Sequence, residues 1–374
     1  MQFQDVIGQE AVKARMIKSV KEERISHAQL LVGPEGSGKL ALALAYAQYI
    51  CCSNPGEHDS CGVCPSCVKY SKLIHPDLHF VFPVVKTPKA KDPVSDHFIN
   101  EWRKRVLDDP YFSLDQWFGS IGVDNAQGMI YSHESDEIIR KLNLKTFEAE
   151  YKVMIIWLPE KMHVVASNKL LKMIEEPPTK TLFLLISEQE DALISTIKSR
   201  VQRIKVGKIG PESLKTALTP KAQDASMDVD SVVHLCNGNY IRAKQLMHPD
   251  EAAVYNLEKF MELMRFSYGR KILELFSWVD QVSTIGREKQ KSFLQYGIHL
   301  VRENFILNIG RPGLNYMNNQ EMGFSKRFSP FVNERNIIPI SEEFEKAFQH
   351  ISMNGNPRII FMDMALKIVK LIRL

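Results

Sequence analysis

The sequence predicts a parallel α/β domain followed by helical domains, and three observations carry that prediction. Short apolar runs alternate with helical periodicity between residues 28 and 206. A glycine-rich turn joins the first apolar run to a helix, and beyond residue 206 no further buried strand can be read. A chain of 374 residues is long for a single core, so two or three domains are expected. With 44% hydrophobic and 25% charged residues it has the composition of a soluble globular protein. The net charge of +4 is small for this length, so any nucleic-acid contact would come from local patches. MQFQDVIGQEAVKARM is neither a signal nor a transit peptide. No apolar run approaches the roughly 20 residues that span a bilayer, so the expected location is cytoplasmic, with no membrane partner.

Residues 5–26 read as a helix, with Val12, Met16, Val20 and Ile25 on one face. Ala28–Val32 is a short buried strand, and Lys39 to about Ile50 an Ala- and Leu-rich helix. Leu78–Val85 is a second strand candidate, and residues 86–97 form a loop with two prolines and no periodicity. Phe98, Trp102, Val106 and Leu107 mark a short amphipathic helix whose polar side carries Arg103, Lys104 and Arg105. That cluster reads either as a solvated face or as a contact for DNA phosphates. Ser135–Asn143 and Ala166–Glu176 are helices, the second stopped by Pro177-Pro178; Tyr151–Leu158 and Thr181–Ser187 are strands buried on both faces. A short helix, Ile194–Ser199, and a last strand, Val201–Val206, complete the α/β region. Gly207 to Pro211 punctuates, residues 212 to about 248 form a small helical unit, and from about 250 to 374 the pattern is all-helical.

The segment LLVGPEGSGKLAL (30–42) is a phosphate-binding loop with one residue changed. In G-x-x-x-x-G-K-[ST] the glycines let backbone N–H groups converge on phosphate, the Lys reaches the outer phosphates and the hydroxyl holds Mg²⁺. Gly33, Gly36, Gly38 and Lys39 are in place, but Leu40 stands where the hydroxyl belongs. A P-loop ATPase also needs acidic residues at the end of the neighbouring strand, one for Mg²⁺ and one to polarise the attacking water. Here that strand ends in Trp157-Leu158-Pro159, and Glu160 is the first carboxylate. Three losses at one chemical centre predict that the magnesium site and hydrolysis are gone, while ATP binding without turnover stays open.

Cys52, Cys61, Cys64 and Cys67 have the x8, x2, x2 spacing of a closed four-thiolate zinc knuckle, and a reducing compartment favours zinc over disulfides. Cys51 is an alternative to Cys52 as first ligand; His58 reads as loop and Cys236 as a buried small residue. Ser199-Arg200 stands at the start of the last strand. An arginine at such an edge either reaches a neighbouring subunit's phosphate or is a surface residue.

VIGQE (6–10), SHAQLLVGPEGSGK (26–39), the cysteine knuckle, HPD (75–77), SNKLLKMIEEPP (167–178) and TIKSR (196–200) together resemble the delta-prime subunits of the bacterial DNA polymerase III clamp loader, an AAA+ family. The resemblance covers about residues 1–206. It implies an AAA+ domain with the zinc module at 52–67, a helical lid at 207–248 and a helical collar at 249–374 that packs with other subunits. The stretch at about 84–134 has no counterpart in the family core and reads as an insertion. Motor subunits of the family carry Ser or Thr after the P-loop Lys and Asp-Glu at the strand end, so the departures at Leu40, Trp157 and Leu158 imply a non-motor subunit. Ser199 and Arg200 match the family's S-R-C motif, whose Arg serves the adjacent ATPase in trans; Val201 replaces the Cys. Ser187 falls at the sensor-1 position, while counting from Gly238 puts Ile241 rather than Arg242 where a sensor-2 Arg is expected.

The implied role is a non-hydrolysing clamp-loader member that donates an arginine and helps load the sliding clamp on primed DNA. The implied partners are the ATPase subunits, the delta-type clamp-opening subunit and, through the complex, the clamp and primer-template DNA. The alternatives are an active motor subunit using a residue such as Glu160, and a stand-alone DNA-binding protein using Arg103–Arg105.

Overall fold

The structure is a computed structural model that describes residues 1–87, 91–123, 128–222, 229–247, 251–310 and 314–374. The chain divides into two compact units, Met1–Lys221 with Gly238–Arg242, and Ala222–Asn237 with Ala243–Leu374. Residues 207–248, expected as a lid, are therefore shared between the units, with 223–228 and 248 outside the described residues.

In the first unit, α1 (Glu10–Lys21) precedes β1 (Ala28–Val32), α2 (Lys39–Ile50) and α3 (Pro65–Ser71). Then come β2 (Leu78–Val81), α4 (Ile99–Asp108), α5 (Leu114–Ser120), α6 (Glu134–Asn143) and β3 (Lys152–Trp157). α7 (Val164–Glu175), β4 (Thr181–Ser187), α8 (Ser195–Lys198), β5 (Gln202–Lys205) and α9 (Pro211–Leu218) follow. The strands form one parallel sheet in the order β2-β3-β4-β1-β5. Crossing back to place β4 beside β1 leaves the glycine-rich loop at the C-terminal end of a central strand, where α/β sheets bind ligands. Period-two alternation sorts the side chains: Ala28, Leu30, Met154, Ile156, Phe183 and Leu185 pack against α6, α7 and α8. On the other face α2 lies against the sheet, and all twelve of its residues are buried. That explains a helix apolar on most of its circumference.

The expected elements are present, with shifted ends. The helix read at 5–26 is a 3-10 turn, Phe3–Asp5, followed by the shorter α1. The strand read at Leu78–Val85 ends at Val81, and Val84 instead bridges Met129 in antiparallel fashion. The region at 84–134, of which 88–90 and 124–127 lie outside the described residues, folds onto the sheet as α4 and α5. Trp102, fully buried, stacks on Phe82 at 4.1 Å and meets Trp117 edge-on at 5.2 Å, and Trp117 donates Nε1–H to the Pro83 carbonyl at 2.9 Å.

The second unit is helical: α10 (Val229–Cys236), the remainder of α11 (Tyr240–Met247), α12 (Glu251–Gly269), α13 (Ile272–Ser283), α14 (Arg287–Asn308), α15 (Asn319–Phe328), α16 (Ile337–Ser352) and α17 (Pro357–Leu371). Its core gathers Phe260, Trp278, Phe293, Phe344 and Phe361. Gly297 lets α14 and α16 approach, since a Cβ there would fall 2.2 Å from the Phe344 ring.

Candidate functional site

The glycine-rich loop adopts the backbone its sequence demands. Gly36 and Gly38 have φ of 70° and 87°, and Gly38 caps α2 in the left-handed conformation. Lys39 is buried and does not point outward. Its Nζ donates to the carbonyls of Gly33 at 2.9 Å and Pro34 at 2.6 Å, and lies 3.8 Å from the Glu188 carboxylate. Burial outweighs their mutual attraction: it lowers the Lys39 pKa and lifts Glu188 to about 7. Burial likewise raises Glu35.

Around the loop the space is filled. Leu40 and Trp157 line it from α2 and β3, and Tyr111 and Phe112 enter from the α4–α5 connection. Ile241 closes it from the start of α11, at the position counted for a sensor-2 arginine. Tyr240 N–H donates to the Gly36 carbonyl at 3.1 Å, and a Cβ on Gly36 would collide with Asn239 Oδ1 at 1.9 Å. The residual cavity is about 20 Å³, room for about one water. Glu160, the first carboxylate after β3, accepts the Glu188 N–H at 2.9 Å and so caps the end of β4. Ser187 Oγ, at the sensor-1 position, accepts the Gln189 N–H at 3.2 Å.

Ser199 and Arg200 lie elsewhere. β1 and β5 run parallel with Gln29 opposite Gln202, so Arg200, just before β5, sits at the N-terminal end of the sheet. The phosphate loop follows the C-terminal end of β1, a strand length or about 15 Å away. The Arg200 guanidinium is exposed; it pairs with the Glu175 carboxylate and donates to Thr196 O at 3.1 Å and Ser199 Oγ at 3.2 Å.

The knuckle brings all four expected cysteines together. The sulfurs of Cys52, Cys61, Cys64 and Cys67 lie within 4.8 Å of one another, with Cys61 and Cys67 at 3.9 Å. Zinc–thiolate bonds of about 2.3 Å give a tetrahedral edge of about 3.8 Å, so the donor set fits that ion. Backbone N–H groups aim at the sulfurs, Cys61 at Cys52, Cys64 at Cys61 and Cys67 at Cys64. Burial pushes the Cys64 thiol up, but its N–H and thiol hydrogen bonds outweigh that and bring it to about 6. Cys51 is not part of the group. Its sulfur takes the Tyr70 hydroxyl at 3.1 Å, and burial pushes its thiol to about 12. The choice between Cys51 and Cys52 thus falls on Cys52, and His58 stays on the surface against Glu57.

The basic cluster on α4 is partly used internally. Arg103 donates Nε–H to the Leu73 carbonyl at 2.8 Å, and the Arg105 guanidinium lies 4.9 Å from the centre of the Phe112 ring.

The family model described as "DNA polymerase III, delta subunit" matches residues 8–210. The chain belongs to the delta-prime family of clamp-loader subunits. It is 28% identical over 304 residues to a DNA polymerase III subunit delta' of Bacillus subtilis, covering 81% of this chain and 78% of that one. A delta' of Pseudomonas aeruginosa is 31% identical over 175 residues, 47% of this chain and 41% of the relative. A gamma/tau subunit of Mycobacterium tuberculosis is 26% identical over 239 residues, 62% of this chain and a third (33%) of that protein. The delta-prime resemblance read from the motifs is met, and the AAA+ α/β sheet with its P-loop, cysteine knuckle and helical C-terminal region agrees with it.

Sequence reasoning missed Tyr111, Phe112, Glu188, Asn239 and Glu175, the residues that surround the two candidate centres. One signal was present: Trp102, Tyr111, Phe112, Trp117 and Phe118 are too many aromatics for a segment lying free in solvent.

Proposed function

We propose that this delta-prime subunit hydrolyses no ATP itself and supplies Arg200 in trans to the ATPase subunit beside it, while structural zinc holds the knuckle at Cys52, Cys61, Cys64 and Cys67. The observation that carries the reading is the separation of Arg200 from the chain's own phosphate loop by the length of the sheet. An arginine that far from its own P-loop acts on phosphate only in another subunit's site. The loop's surroundings support the first half: Leu40 and Trp157 offer no magnesium ligand, and Glu160 gives one carboxylate oxygen to the Glu188 N–H. Ser199 orients the guanidinium through its hydroxyl. Within the assembled loader the role is to help open the sliding clamp and place it on primed DNA, alongside the ATPase subunits and the delta-type subunit, through a lid at 207–248 and a collar at 249–374. Turnover measured on the isolated chain tests the reading. Magnesium-dependent ATP hydrolysis at background is expected; turnover abolished by Lys39→Ala would contradict it.

A further inference from the structure

We propose that Pro110–Phe112 is a built-in plug that occupies the nucleotide's place over the phosphate loop, so that the chain excludes nucleotide by its own insertion. The proposal extends the non-hydrolysing reading from turnover to binding, and it rests on a different observation from the one that concerns Arg200.

Tyr111 lies directly on the loop. A Cβ added at Gly38 would fall 3.0 Å from its ring and 3.1 Å from its hydroxyl, so the ring covers the backbone turn that starts α2. The hydroxyl accepts the Ile7 N–H at 2.9 Å, and the ring meets Tyr240 edge-on at 5.0 Å. Phe112 extends the plug along the sheet. Its ring packs 5.2 Å from Trp157 and 5.6 Å from Trp102, with the Arg105 guanidinium 4.9 Å from its centre. Three separate walls therefore grip the segment: the N-terminal stretch at Ile7, the end of β3, and the start of α11. What they would enclose without it is a pocket floored by Gly36, Gly38 and Lys39. Sites for ligands of nucleotide size run to about 300–1,000 Å³, and about 20 Å³ remains here. Beneath the plug, Lys39 Nζ bonds its own loop's carbonyls, those of Gly33 and Pro34.

A plug of this kind differs from a merely degenerate loop in one respect: removing it exposes phosphate-binding groups. The experiment compares mant-ATP binding by fluorescence anisotropy to the full chain and to Tyr111→Ala/Phe112→Ala, each checked for zinc content and circular dichroism. The unsubstituted chain and Tyr111→Phe, which loses only the hydroxyl, are expected to bind no better than an unrelated protein. The double variant is expected to gain at least about tenfold in affinity, with the gain cancelled by Lys39→Ala. Tyr111→Ala alone, which keeps the Phe112–Trp157 contact, provides a second opening should the double variant not fold. Binding by the unsubstituted chain, or no gain in a folded opened variant, would overturn the plug. Turnover by the unsubstituted chain would contradict the non-hydrolysing reading, and turnover only by an opened variant would support the plug while showing that the magnesium and water-activating groups are not lost, so the two fail separately.

Discussion

Glu134 shows what burial does to single residues here. It has no exposed surface; one carboxylate oxygen accepts the Ser95 N–H at 2.7 Å and the other has no hydrogen-bond partner among the described residues. Burial raises its pKa from the ordinary 4.5 to about 7. Because the folded state holds the proton more tightly, the contribution is fully present below about pH 4.5 and is lost as pH rises through about 7. Glu188 has the same sign and window. Glu134→Gln keeps the acceptor and removes the charge, so the fall in melting temperature between pH 5 and 8 should be shallower in the variant. A fall as steep as that of the unsubstituted chain would show that Glu134 titrates normally. The four knuckle thiolates give a second prediction at this scale. Cys61→Ser should lower bound zinc from about one per chain to near zero by metal analysis, whereas Cys51→Ser should keep it, since Cys51 faces Tyr70 and not the cluster.

At the scale of elements, the knuckle and the segment at 84–134 each tie distant parts of the first unit together. Asp59, inside the knuckle, accepts the N–H groups of Phe3 at 3.0 Å and Gln4 at 2.9 Å, and Gln2 donates to the Ser60 carbonyl. Removing the metal with a chelator should therefore loosen the N-terminal residues as well as the knuckle, seen as faster amide exchange at residues 3–7. Unchanged exchange would separate the two. Trp102 anchors the 84–134 segment, and Trp102→Ala should cost about 3–5 kcal/mol in denaturant unfolding, the range for emptying a buried aromatic site. Much of this architecture was legible beforehand. Strand-loop-helix order, the apolar runs of β3 and β4 and the cysteine spacing all follow from local periodicity and ligand chemistry, which a single sequence carries. The plug was not legible, because Tyr111 and Phe112 meet Gly38, Tyr240 and Trp157 only through tertiary packing between distant segments. Strand ends were misread for a similar reason: Val84 and Val85 continue the apolar run of β2, yet Val84 pairs with Met129, far along the chain.

For the molecule as a whole, the parallel sheet holds the two candidate centres at opposite ends. The C-terminal end keeps the phosphate loop, filled by the chain's own side chains, and the N-terminal end presents Arg200. Its pair with Glu175 joins two groups each roughly 40% exposed, at 40% and 44%. Such surface pairs are worth about 0–1 kcal/mol, so the proposed exchange of Glu175 for a neighbour's phosphate would cost the guanidinium little. The central claim is that Arg200 acts on a neighbour's nucleotide, and the direct measurement is the steady-state ATPase rate of the reconstituted loader carrying Arg200→Ala, with assembly followed by gel filtration. An intact complex with its rate lowered by at least about tenfold is the expected result, within the range that arginine fingers contribute. An intact complex turning over ATP at the unsubstituted rate would contradict it and leave Arg200 as a surface residue at the sheet edge.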